Sequence, residues 1–96
     1  MLLKWELGLD ETNEAIQTGK IAEFNELLNR LTQPEAAYFC TENGRRTGYT
    51  IFDMADTSQI PVIAEPLFQQ LSAKVEFIPV MNYDELQRGL TEALQS

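Results

Sequence analysis

Apolar and polar residues alternate at the start of the chain, and the pattern then changes to helical spacing. Over residues 2–9, leucines and Trp5 occupy every second position, which is typical of a β-strand with one buried face. Apolar side chains then recur at three- and four-residue intervals as far as Leu31, with Thr18-Gly19 interrupting them. We therefore predict a strand, a short helical turn, a break, and a longer helix that begins at Lys20.

Asn43-Gly44 stands between two runs that are rich in β-branched and aromatic residues, which is the strongest hairpin signal in the chain. A type I′ turn needs positive φ at both central residues, and these two residue types accept it. With a two-residue loop, Tyr38 lies opposite Tyr49 on one face of the hairpin. Phe39 then lies opposite Gly48 on the other face. Both faces are largely apolar, yet helices can cover only one of them. We therefore expect the other face to be buried against a second chain or to form a partly hydrated surface.

A second helical segment follows the hairpin. Asp56 with Gln59 indicates a capped helix start, and apolar residues continue at helical spacing to Leu71. Pro61 falls in the first turn, where proline is tolerated. Pro66 should kink this helix or shorten it, and a kink would open space between the helix and the sheet.

A short strand and a last helix complete the predicted order. Residues 74–80 alternate, and Pro79 favours an edge position for this strand. Asn82 and Glu85 form a second capping box. It precedes a helix with an apolar stripe that we expect to be buried: Leu86, Leu90, Ala93 and Leu94. The order βαββαβ plus a terminal helix predicts one α+β domain over residues 1–96, a ferredoxin-like sandwich with a four-stranded antiparallel sheet.

Composition excludes several kinds of chemistry. The chain has 96 residues, 44% of them apolar and 23% charged, as in an ordinary globular domain. Its net charge of −8 disfavours nucleic acid and anionic membranes as partners. The single cysteine, Cys40, forms no intrachain disulfide, and no stretch is long and apolar enough to span a membrane, so we expect a cytoplasmic protein. Histidine is absent, which excludes Ser-His or Cys-His catalysis and imidazole-bound zinc or haem. We expect no cofactor and no metal.

Several segments within residues 34–81 resemble a group of small bacterial proteins of unassigned activity. They are Pro34-Glu-Ala-Ala-Tyr-Phe, Asn43-Gly-Arg-Arg-Thr, Phe52-Asp, Asp56-Thr-Ser-Gln-Ile-Pro, Ile63-Ala-Glu-Pro-Leu-Phe and Val75-Glu-Phe-Ile-Pro-Val-Met. The element order, length and acidity also resemble the dimeric α+β-barrel superfamily, which includes small monooxygenases, muconolactone isomerases and stress-responsive barrel proteins. The resemblance implies a homodimer and a pocket between helices and sheet. The match to the small bacterial proteins implies no activity. Superfamily members that use histidine as haem ligand or catalytic base cannot be matched, because this chain has no histidine.

Aromatic residues are the candidates for a ligand-binding site. An apolar cavity between sheet and helices would take a small apolar or aromatic ligand and would be lined by Trp5, Tyr38, Tyr49, Phe52 and Phe68. Packing in the core or at a dimer interface is the alternative role for these side chains. Two other functions stay open. One is a cofactor-independent oxygenase or isomerase, with Tyr38 or Tyr49 as proton donor and Asp53 as base. The other is a protein-interaction module whose acidic surface steers a basic partner.

Polar residues beside the hairpin turn have ordinary structural interpretations. Cys40 is expected to be a small buried side chain rather than a reactive thiol, because only Arg45 could lower its pKa. Glu42 lies opposite Arg45 and should form a surface ion pair with it. The adjacent cations Arg45 and Arg46 are expected to be solvated.

Overall fold

A computed structural model gives the positions of residues 1–95, and the secondary structure over that range follows the predicted order. It contains the strands β1 (Leu2–Glu6), β2 (Ala36–Glu42), β3 (Arg45–Ile51) and β4 (Lys74–Ile78). The helices are α1 (Leu9–Thr18), α2 (Lys20–Thr32), α3 (Gln59–Leu71) and α4 (Tyr83–Gln95).

The four strands form one open antiparallel sheet in the order β2-β3-β1-β4. β1 lies in the middle, hydrogen-bonded to β3 on one side and to β4 on the other. β4 is therefore an edge strand, as Pro79 indicated, and that proline follows the last residue of the strand. The α+β class and the four-stranded antiparallel sheet are both confirmed.

The β2–β3 hairpin has the predicted turn and the predicted register. Asn43 and Gly44 adopt φ values of 54° and 72°, as a type I′ turn requires. Tyr38 pairs with Tyr49, and Phe39 pairs with Gly48. The local sequence therefore determines which side chains of these two strands share a face.

The first strand is shorter than predicted and the first helix is longer. β1 ends at Glu6, and Leu9 begins α1 instead of continuing the strand, so the predicted strand over residues 2–9 is wrong at its end. The hydroxyl of Thr12 donates to the carbonyl of Gly8 at 2.6 Å and is fully buried, which stabilises the first turn of α1. The break at Gly19 is confirmed: its φ of 81° ends α1 and starts α2.

Helices α1, α2 and α3 pack on the face of the sheet that carries Leu3 and Trp5. The core that forms there consists of Leu3, Trp5, Leu7, Ala15, Phe24, Leu28, Phe52, Ile63, Leu67, Leu71 and Ala73. Tyr38 and Tyr49 lie on the opposite, open face, as the alternation along β2 and β3 requires. The helices also leave β2 largely uncovered, so residues 37–41 are exposed on both faces of that strand.

The last helix does not pack as predicted. Both hydrogen bonds of the capping box are present: Glu85 N donates to Asn82 Oδ1 at 2.8 Å, and Asn82 N donates to Glu85 Oε1 at 3.0 Å. No residue of α4 is buried, however, so the prediction of a buried stripe is wrong for the single chain. Leu90 is 48% exposed and Leu94 is 86% exposed. α4 instead adds to an elongated shape with a longest extent of 56 Å.

Three other sequence predictions need correction. Cys40 is exposed, because it lies on the edge strand β2, which the helices leave largely uncovered. Glu42 pairs with Lys4 of β1 rather than with Arg45 across the turn, since the lysine reaches over β3 on the open face. Pro66 does not shorten α3, which continues to Leu71, and a kink at this proline stays a prediction.

Candidate functional site

A cavity of about 360 Å³ lies between the covered face of the sheet and helices α2 and α3. We call it the Trp5 cavity. The sheet side contributes Trp5, Leu7, Phe39, Cys40, Arg46 and Thr47, and the helices contribute Ile21, Ala22, Asn25, Leu28, Leu67 and Leu71. It opens where the helices fail to cover β2, and Phe39 is 61% exposed there. Its volume falls within the range of small-molecule pockets, at the lower end.

Trp5 forms one side of the cavity, and its indole ring lies directly against the backbone of Gly48. A Cβ atom added to Gly48 would lie 2.0 Å from Cζ2 of the indole, so only glycine leaves room for the ring. The ring of Phe39 packs against it at a tilt of 60°, with 5.8 Å between centroids. The indole Nε1–H is buried, and no acceptor within residues 1–95 reaches it. A buried donor without a partner costs about 1–3 kcal/mol, which an acceptor on a ligand would offset.

Arg46 brings a positive charge to the otherwise apolar lining. Its Nη1 donates to Thr12 Oγ1 at 2.8 Å, and its Nη2 donates to Asn13 Oδ1 at 3.0 Å. Both acceptors are neutral. Across residues 1–95, the only ion pair joins Lys4 to Glu42, so Arg46 has no carboxylate partner within that part of the chain. The expectation that Arg46 is merely solvated is wrong, because it is half-buried and held by α1.

The structure does not bring the five predicted aromatic residues into one cavity. Only Trp5 lines the Trp5 cavity. Tyr38 and Tyr49 lie on the other face of the sheet, Phe52 is 2% exposed within the core, and Phe68 is exposed on the surface of α3. A role of any of them in ligand binding stays a prediction.

The lining residues that the sequence analysis missed include Phe39, Leu28 and Arg46. The hairpin register already placed Phe39 opposite Gly48, and a glycine inside a strand signals close approach of another group. No local pattern indicated that Trp5 would be that group, because the contact joins β1 to β3 across the sheet.

Tyr49, Glu42 and Lys4 form a polar cluster on the open face. The phenol of Tyr49 donates to Glu42 Oε1, and Lys4 Nζ lies 2.5 Å from Glu42 Oε2. The hydrogen bond from Lys4, and then that from Tyr49, lower the pKa of Glu42. The same bonds to Glu42 raise the pKa of Lys4 and that of Tyr49. The raised pKa favours the protonated phenol of Tyr49. The hydrogen bonds of the cluster connect β1, β2 and β3 on the open face.

Asp53, the predicted base, is exposed just after β3. It lines a different, larger hollow of about 650 Å³ beside the start of α4, together with Phe52, Met81 and Arg88. No group of three or more histidine, cysteine, aspartate or glutamate residues that could hold a metal occurs among residues 1–95. In the same range, no helix is long and apolar enough to cross a membrane.

Comparison of the chain with protein-family models, with curated proteins and with solved structures finds no significant match.

Proposed function

We propose that this chain is a homodimeric small-molecule-binding domain of the dimeric α+β-barrel type, and that the Trp5 cavity takes a small apolar or aromatic ligand. The observation that carries this proposal is the cavity itself. It is a half-open hollow of about 360 Å³ beside the single tryptophan. A mostly apolar lining with a few polar groups is typical of small-molecule sites.

The topology supports the ferredoxin-like part of the proposal. β3 lies between β1 and β2, and β1 lies between β3 and β4. Two β-α-β units that each admit a strand of the other are the hallmark of the split βαβ arrangement. In that arrangement helices cover one face of the sheet and leave the other face free for a partner.

The dimer is supported by the shape and surface of the single chain. Its accessible surface is 6649 Å², whereas roughly 5,600 Å² is expected for a compact monomer of its mass. Its radius of gyration is 15.8 Å, against about 12.5 Å for a compact domain of this length. The excess surface, about 1,000 Å², is close to the ~800 Å² that each partner buries in a standard interface.

Large apolar side chains are exposed on two parts of this surface. α4 exposes its stripe, and the open face of the sheet exposes Tyr38 at 66% and Ile78 at 41%. Monomeric soluble proteins rarely leave such patches uncovered. In the proposed dimer, a second copy of the chain, related by a twofold axis, covers these patches.

A ligand that binds the folded chain stabilises it by about 2.7 kcal/mol at 100 times its dissociation constant, which raises Tm by several degrees. We would use 1-naphthaleneethanol, a neutral bicyclic probe, and measure thermal unfolding. Ala22→Phe should fill the mouth of the Trp5 cavity from α2, because Ala22 lines it. Glu26→Phe adds the same side chain to an exposed position of the same helix and serves as the control.

We expect the probe to raise Tm of the wild type and of Glu26→Phe, and to leave Ala22→Phe unchanged. An equal rise in all three proteins would show that the probe binds elsewhere. If neither this probe nor a panel of quinones, flavins and aromatic acids raised the Tm of the wild type, the ligand-binding proposal would be wrong.

A further inference from the structure

The charge of the Trp5 cavity is unusual for this chain. Fifteen acidic residues outnumber seven basic ones, yet among residues 1–95 the only charged residue on the cavity lining is Arg46. The other polar residues there are Asn25, Thr47 and Cys40. No lining residue is an acid.

Arg46 is held in a fixed orientation by neutral acceptors. Thr12 and Asn13, both on α1, accept from its two terminal nitrogens, and Thr12 is itself fully buried. These two bonds use two of the five guanidinium donors. Three donors remain, and guanidinium groups pair with a carboxylate or a phosphate through two parallel hydrogen bonds.

A half-buried cation without an anionic partner is costly beside apolar surface. The chain has fifteen acidic residues, yet none of those within residues 1–95 pairs with Arg46. The only ion pair in that range joins Glu42 to Lys4. The uncompensated charge and the apolar walls therefore occur at the same cavity. An anion with a hydrophobic body satisfies both.

We infer that the Trp5 cavity binds a small carboxylate with an aromatic or aliphatic body, whose carboxylate pairs with Arg46 while its body packs against Trp5, Leu28 and Phe39. The inference rests on the proposed function, because it assigns a ligand class to the same cavity. Arg46 is the residue that sets specificity for an acid over a neutral molecule of the same shape.

The test compares two probes that share one ring system: 1-naphthaleneacetate and 1-naphthaleneethanol. Their affinities for the full chain would be measured by isothermal titration calorimetry at low and high salt. The variants are Arg46→Gln, which removes the charge, and Arg46→Lys, which keeps the charge and loses the planar fork. Arg45→Gln is the matched control, since the neighbouring arginine is exposed at the hairpin and is absent from the cavity lining.

We expect the wild type to bind the acetate at least ~10-fold tighter than the alcohol, because a hydrogen bond to a charged group is worth about that much or more. Arg46→Gln should remove this preference and leave the alcohol affinity within about 3-fold, whereas Arg45→Gln should change neither affinity. Arg46→Lys should keep part of the preference, and this variant keeps the test valid if Arg46→Gln does not fold by circular dichroism.

Binding of the alcohol without a preference for the acetate, or a preference that survives in Arg46→Gln, would overturn the inference and leave the proposed function standing. Binding of neither probe to the wild type would count against both.

Discussion

At the scale of single residues, the contact between Gly48 and Trp5 determines the shape of the cavity. We predict that Gly48→Ala destabilises the protein by about 1–3 kcal/mol, because the new methyl group overlaps the indole and the ring has to shift away from β3. Urea unfolding, followed by the fluorescence of the single tryptophan, measures the change.

The control for this prediction is a double-mutant cycle with Trp5→Leu. The smaller side chain removes the overlap, so Gly48→Ala should cost much less in the Trp5→Leu background, where far-ultraviolet circular dichroism replaces fluorescence. Additive effects of the two substitutions would mean that the overlap with Trp5 is not the cause.

The polar cluster on the open face should make stability depend on pH at both ends of the scale. The folded pKa of Glu42 lies below its ordinary value of 4.5, so its contribution is present above that pH and is lost as the pH falls through the folded pKa. Tyr49 and Lys4 have folded pKa values above 10.0 and 10.5, so their contributions are present below those pH values and are lost as the pH rises further.

We predict that Glu42→Gln reduces both losses, because it removes the group whose own pKa is lowered and whose hydrogen bonds raise the pKa of Tyr49 and that of Lys4. Urea unfolding at a series of pH values measures the acid arm, and tyrosinate absorbance follows the alkaline arm. Glu26→Gln, on the exposed surface of α2, is the control. If the two variants show the same pH profile, the cluster does not couple to folding.

At the scale of elements, α3 carries two prolines in different environments. Pro61 is the third residue of the helix, where a missing N–H costs nothing, and Pro66 lies in the interior, where it removes a backbone hydrogen bond. We predict that Pro66→Ala stabilises the protein by about 1 kcal/mol or more, measured by urea unfolding.

Pro61→Ala is the matched control for Pro66→Ala. It should change stability little or lower it slightly, because proline in a compatible position restricts the unfolded chain. A loss of stability in Pro66→Ala would mean that the ring of this half-buried proline packs in a way that alanine does not replace.

The elements show which parts of the fold the sequence could predict. Asn43-Gly44 determines turn type, register and face for two strands, so that prediction was confirmed in full. The capping box at Asn82 and the break at Gly19 are likewise local and likewise confirmed. Each of these features depends on residues that are close in sequence.

Predictions that depended on distant contacts were less successful. Both faces of the hairpin are apolar, so the pattern could not say that the helices cover the face of Phe39 rather than that of Tyr38. Glu42 chose Lys4 over Arg45 because the sheet brings β1 within reach. An apolar cavity between sheet and helices with Trp5 in its lining was predicted, but its other lining residues were not, since they depend on how far the helices extend over β2.

At the scale of the whole molecule, the apolar stripe of α4 is the feature that the single chain leaves unexplained. Its periodicity is that of a buried helix, yet none of its residues is buried. The proposed dimer resolves this difference, because the stripe would then be buried against a second copy. α4 and the open face both expose apolar side chains that such a partner would cover.

We therefore predict that the wild-type protein sediments with twice its 10.9 kDa chain mass, and that Leu90→Glu shifts the equilibrium toward monomer. Burial of one leucine is worth about 1.5–3 kcal/mol, and each substitution appears twice in a twofold dimer, so the dimer should weaken by 100-fold or more. Tyr38→Glu tests the open face in the same way. Thr91→Glu adds the same charge to an exposed polar position of α4 and should leave the mass unchanged.

A wild-type protein that remains monomeric at micromolar concentration, or a Leu90→Glu variant that associates as tightly as Thr91→Glu, would contradict the proposed dimer. If Leu90→Glu lost association but kept the circular dichroism spectrum of the wild type, α4 would form without the partner and its role would be to bind the second copy.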